Sequence, residues 1–217
     1  MDKINSIIRE AALKAYQETD NIPEPGLTGE VSFPVNVTIG KGLEGAIACA
    51  TEIGYVNGSK GWLIYRGYNI FDLAEKSNFE EVCYLLLFGK LPLKDEFESF
   101  KKKLIGYRSV PGVVIDVLRK IPTPHTHPMA ALRTAVSVLG TLDATAEDYS
   151  VEAEQEIAIK LIAQLPTLAG IVSRIRDHKK IVDPDSNLSH AGNFLYMLTG
   201  ERPSDISEIA ERIMDVC

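Results

Sequence analysis

Apolar and polar positions recur along this chain with two different periods. From about Asp2 to Gln17, Ile4, Ile7, Ile8, Ala11 and Ala15 fall at the three-to-four spacing of one helix face, and NIPEPG ends the pattern. The next stretch, VSFPVNVTIG, alternates strictly, with Val31, Phe33, Val35, Val37 and Ile39 on one side and Ser32, Pro34, Asn36 and Thr38 on the other. That is a strand period, and Pro34, which has no N–H for a central ladder, restricts it to a sheet edge or an extended arm. AIACATEI and GWLIY flank the turn-forming YVNGSKG, which predicts a short hairpin.

After Gly67 the helical period takes over. Asn69 is placed to cap a short helix through Lys76, and Asn78 to cap FEEVCYLLLFG, which Gly89 closes. LKDEFESFKKKLIG ends at Gly106, PGVVIDVLRKI starts at Pro111, and Pro128 opens MAALRTAVSVLG after the rigid loop PTPHTHP. Ser150 caps VEAEQEIAIKLIAQL, Pro166 is expected to interrupt, and TLAGIVSRIRDHKK resumes. VDPDSN is a loop, and LSHAGNFLYMLTG a helix closed by Gly200. In the last stretch, SDISEIAERIMDVC, the residues Ile206, Ile209, Ala210, Ile213, Met214 and Cys217 predict one buried helix face, with Asp205 and Glu208 as a capping box. No stop signal follows. The expected fold is all-α with a short β hairpin near the N-terminus, and without a fixed repeat period it is not a solenoid.

Composition narrows the class. A chain of 217 residues with 45% hydrophobic content is long enough for one good core, or for one large domain with an appendage. The net charge of −7 repels polyanions, so nucleic acid and acidic membranes are not expected partners. The basic runs KKK at Lys101 to Lys103 and RIRDHKK at Arg174 to Lys180 each sit toward the end of a helical pattern, where cations meet the negative end of the helix dipole. Cys49, Cys83 and Cys217 are odd in number and far apart, which argues against disulfides and zinc, and Cys83 lies among apolar neighbours as a small core residue. MDKINSIIREAALKAY is neither a secretory signal nor a membrane span, so a cytoplasmic setting is expected.

The residues that could carry chemistry are few. His125 and His127 sit two apart between prolines, with no carboxylate or cysteine in the segment to complete a metal site; His127 is expected to bond loop backbone or the helix start. His178 belongs to the basic run. His190 lies in the first turn of a helix beside Ser189 and Asn193, where it is either a pocket residue or a structural one. Arg66, between aromatics and followed by Gly67, offers a planar fork to a carboxylate or to an intramolecular partner. Nucleophile-elbow, phosphate-loop and dinucleotide motifs are absent from the sequence.

The order of motifs is more informative than any one of them. GLEGAIACATEI, GWLIYRGYNIFDLAEKSNFEEVCYLLLFGKLP, HPMAALRTAVSVLG and NLSHAGNFLYMLTGERPS together closely resemble the N-terminal half of citrate synthases, including 2-methylcitrate synthases, from about Gly42 to Cys217. The resemblance implies α-helical homodimers with a large and a small domain, which join acetyl-CoA to oxaloacetate and release citrate and CoA in the tricarboxylic acid cycle. Acetyl-CoA is then a substrate, and no prosthetic group is implied. Residues 1–40 would form an N-terminal helix and extended arm, and 41–217 the N-terminal part of the large domain, the C-terminal half and small domain being absent. The family's HADHE-like, HGGAN and GHR motifs and late aspartate segment do not occur in this sequence, so no catalytic residue carries over. Arg66 and His190 are candidate substrate-binding residues. The residues that hold CoA are not identified, with Lys101 to Lys103, Arg174 and Lys179 as possible phosphate contacts. The leading expectation is thus a truncated citrate synthase that is inactive alone. A 2-methylcitrate synthase using propionyl-CoA and a non-catalytic helical partner or dimerisation subunit are the alternatives.

Overall fold

The computed structural model describes residues 2–18, 39–46, 49, 51–58, 61–122, 125–202 and 208–217. The expected alternating strand at 31–38 lies outside them, as do Asp205 and Ile206 of the expected capping box. The chain forms two compact units, one from Asn5–Ser77 and one from Met1–Ile4 with Asn78–Cys217.

The smaller unit holds most of α1 (Asp2–Glu18), the strands β1 (Gly54–Asn57), β2 (Trp62–Tyr65) and β3 (Tyr68–Asn69), and α2 (Ile70–Lys76). The sheet runs β1-β2-β3, all antiparallel, with Tyr55 opposite Ile64 and Tyr65 opposite Tyr68. The expected hairpin is present with GWLIY supplying its second strand, but its first strand is GYVN, taken from the stretch read as turn, rather than AIACATEI, whose described residues form no strand. Arg66 and Gly67 form the two-residue connection between β2 and β3, with φ of 48° and 88°. A tight turn with both central residues left-handed matches the twist of the flanking strands, and a non-glycine residue there costs roughly 1 kcal/mol. Asn69 then caps α2, accepting from the Phe71 N–H at 3.0 Å.

The larger unit is helical: α3 (Phe79–Phe88), α4 (Lys94–Tyr107), α5 (Gly112–Lys120), α6 (Pro128–Leu142), α7 (Val151–Arg176), α8 (His190–Thr199) and α9 (Glu208–Val216). The caps fall where the sequence placed them: Asn78 on α3, His127 on α6 and Ser150 on α7, with Gly89 and Gly200 left-handed at the ends of α3 and α8.

Contrary to the expected interruption, α7 runs unbroken through Pro166. Proline in a helix interior costs about 3 kcal/mol, and burial on both sides offsets it. Before Pro166, Ile159 and Ala163 pack with Tyr84, Phe100 and Leu104. After it, Leu168, Ile171 and Val172 pack with Val114, Leu118, Ala131, Ala135 and Leu139. This is the one described helix long and apolar enough to cross a membrane, and these same residues bury it as a core helix. At Gly170 an added Cβ would stand 3.0 Å from the Met197 Cβ, so glycine sets the close approach of α7 and α8.

Candidate functional site

The first turn of α8 gathers the buried polar groups of the larger unit. Ser189 caps the helix, accepting from the Gly192 N–H at 2.9 Å, and its hydroxyl donates to Glu211 Oε1 on α9 at 2.5 Å. A Cβ at Gly192 would lie 2.9 Å from both of those oxygens, so a larger residue there would push the carboxylate or the cap aside. The next backbone N–H, that of His190, donates at 2.9 Å to Oε1 of Glu80, a carboxylate only 4% exposed in the first turn of α3. Carboxylates beside helix N-termini meet both unpaired N–H groups and the positive end of the dipole.

The segment leading into α8 is tied down by Arg108, which is 3% exposed at the end of α4. Its Nη1 donates to the Asp185 carbonyl at 2.7 Å and its Nη2 to the Leu188 carbonyl at 2.9 Å, while its own carbonyl accepts from Thr167 Oγ1 at 2.8 Å. Nε is buried without a hydrogen bond. Burial pulls the guanidinium pKa down, and the charges of Glu80 and Asp185 pull it back. Asn193 completes the fastening by accepting from the Asp185 N–H at 2.8 Å.

His190 is buried, and its ring stacks on Phe79 with centroids 4.6 Å apart. Burial, with the charge of Arg108 adding to it, lowers its pKa to about 4, so the imidazole is neutral at pH 7. It can offer shape and a neutral donor or acceptor, but not a proton exchanged near neutrality.

Helix α9 reaches the same place from the other side. Asp215 Oδ1 accepts from the Phe79 N–H at 2.9 Å, and its Oδ2 from Arg212 at 2.5 Å, so α9 supplies acidic partners at the N-termini of both α3 and α8. Between these elements lies a cleft of about 500 Å³, lined by Glu80, Lys101, Ser189, Glu211, Arg212 and Asp215 among others. The face of α9 presented here is polar. Of the expected buried stripe, Ile209 and Ile213 are 43% and 47% exposed and Cys217 is exposed too, while Ala210 and Met214 are half-buried, so the stripe is only partly covered. Asp215 takes the Phe79 N–H at the start of α3, and Glu211 takes the hydroxyl of the α8 cap Ser189, which ties the polar side of α9 to both helix starts.

Of the two candidate residues from the sequence, His190 belongs to this cluster and Arg66 lies in the smaller unit. Arg66 donates its backbone N–H to the Ile53 carbonyl at 2.9 Å, and its Nη1 stands 3.5 Å from Glu52 Oε2. The other histidines lie apart from the α8 cluster: His127 accepts the Met129 N–H at 3.2 Å as the cap of α6, and His178 occupies a left-handed turn after α7. Arg174, a possible phosphate contact, is instead bonded to the carbonyls of Lys180 at 2.8 Å and Thr199 at 2.9 Å, holding the end of α8. Lys103 pairs with Glu156 and Lys179 with Asp177. Burial pushes the Cys83 thiol up to about 12, which leaves it inert. Among the described residues, no group of three or more His, Cys, Asp or Glu could hold a metal ion.

Sequence reading passed over Glu80, Arg108, Glu211 and Asp215. Three of them are charged residues next to helix caps or on helix faces that read as solvated, and Arg108 stands in a short connection without a pattern. Only the Asn78 capping signal and the placing of His190 beside Ser189 in a first helix turn pointed to these two helix starts.

Residues 42–217 match the family model described as citrate synthase, C-terminal domain. The citrate synthase of Deinococcus radiodurans is 44% identical over 166 residues, covering 76% of this chain and 44% of that protein. The 2-methylcitrate synthase 1 of Corynebacterium glutamicum is 38% identical over 175 residues, covering 81% of this chain and 46% of the relative. The crystal structure of citrate synthase from Pyrobaculum aerophilum superposes with a TM-score of 0.74 at 33% identity, over 87% of this chain and 50% of that one. The chain thus spans about half the length of the relatives it matches.

Proposed function

The chain belongs to the citrate synthase family, and from that premise we propose that it contributes to the condensation of acetyl-CoA with oxaloacetate, giving citrate and CoA. The observation that carries this reading is the unbroken family match from residue 42 to residue 217.

The reaction needs a base for the methyl proton, a donor at the thioester carbonyl and cations for the dicarboxylate. His190 is neutral and stacked, and Arg108 is bonded to backbone, so neither serves as proton carrier or dicarboxylate clamp. The role proposed for the α8 cluster is to position: the Glu80, Arg108 and Asn193 bonds hold α8, and the carboxylates of α9 fasten α9 to α3 and α8. The exposed Ile209, Ile213 and Val216 of α9 support a reading in which further polypeptide of the family fold covers them.

A second copy of the chain is the proposed partner, seated along α6 and α7. Two grooves of about 410 and 290 Å³, with Val136, Leu139 and Leu161 on the one and Met129, Leu132 and Ala169 on the other, and with Asp143, Lys160, Arg176 and Asp177 among their polar lining, support this seat for a homodimer.

A chimera tests the reading. Residues 42–217 replace the matching residues of the Deinococcus radiodurans enzyme, and free CoA is followed with and without oxaloacetate. Oxaloacetate-dependent release is expected with acetyl-CoA. A folded chimera that releases none overturns the proposal in favour of a non-catalytic helical partner, and faster release from propionyl-CoA moves the substrate to that of the 2-methylcitrate synthases. The 217-residue chain alone is expected to release no CoA, and oxaloacetate-dependent release from it would overturn its purely positioning role.

A further inference from the structure

We draw no further inference here: the strongest candidate, the cleft of about 500 Å³ between α3, α4, α8 and α9, belongs to the site already described, and nothing in the structure points to a ligand among the carboxylates and helix N-termini that line it.

Discussion

Helices α8 and α9 are neighbours of similar length with opposite habits. α8 buries Ala191 and Met197 in the ordinary way, and with them His190 and Asn193, whose neighbours hold the backbone polar groups of its first turn. α9 turns Glu211, Arg212 and Asp215 toward the body and leaves Ile209, Ile213 and Val216 outside. Both helices are amphipathic, but α8 buries apolar residues fully whereas α9 only half-buries Ala210 and Met214. The difference shows that a helix can be fastened by polar bonds to the starts of two others while part of its apolar side stays exposed.

The largest effect that would break this contrast is expected at Arg108. Replacing it with Met leaves the Asp185 and Leu188 carbonyls without their donor and Glu80 without its compensating cation, at a cost of about 3 to 5 kcal/mol. Urea unfolding reads this directly, and a loss below about 1 kcal/mol would mean that α8 is held by apolar packing alone.

Next in size is the pH dependence set by His190. Its folded pKa of about 4 lies below the ordinary 6.5, so between those values the unfolded chain takes up a proton that the folded one refuses. Stability therefore falls as pH drops from 6.5 toward 4, by up to about 3 kcal/mol. His190→Phe keeps the stack on Phe79 and should flatten this part of the profile; an unchanged slope in Tm between pH 7 and 4.5 would show that another group titrates. Asp143 does not confound the window. Its pKa is lowered to about 2, first by the Thr145 hydroxyl and then by Lys160, so its contribution is full above 3.8 and is lost only as pH falls through about 2.

A smaller effect, about 1 kcal/mol, is expected for Asp215→Ala, which uncaps the first N–H of α3 and loosens α9. Faster amide exchange across Glu208–Val216 is the matching signature, and unchanged exchange there would separate α9 from its caps. Smallest is Ile213→Lys, expected within about 0.5 kcal/mol of the parent in thermal unfolding because the side chain is already 47% exposed. A large loss of stability would instead show that the apolar face of α9 is inward.

Much of the fold was legible in the chain itself. Asn69, Asn78, His127 and Ser150 begin their helices, and Gly89 and Gly200 end theirs, because capping is a contest among atoms a few residues apart. The interruption expected at Pro166 did not occur, because the cost of a local breaker was set against burial contributed by four other helices. Of the candidate site, His190 and its neighbours Ser189 and Asn193 could be named from their position in a helix start. Glu80 and Arg108 could not, since their partners stand 110 and 77 to 80 positions away in sequence.

What the sequence determined by itself is therefore the helical class, the cap positions and, through the order of its motifs, the family. Each depends on short-range spacing that the chain carries wherever it is placed. Only the tertiary structure decided that a glutamate in an apolar helix is buried, that an arginine in a connection holds the start of α8, and that Ile209 and Ile213 of α9 stay exposed while Ala210 and Met214 are half-buried. Those outcomes depend on which backbone donors and acceptors lack partners once the helices meet, a quantity that exists only after packing.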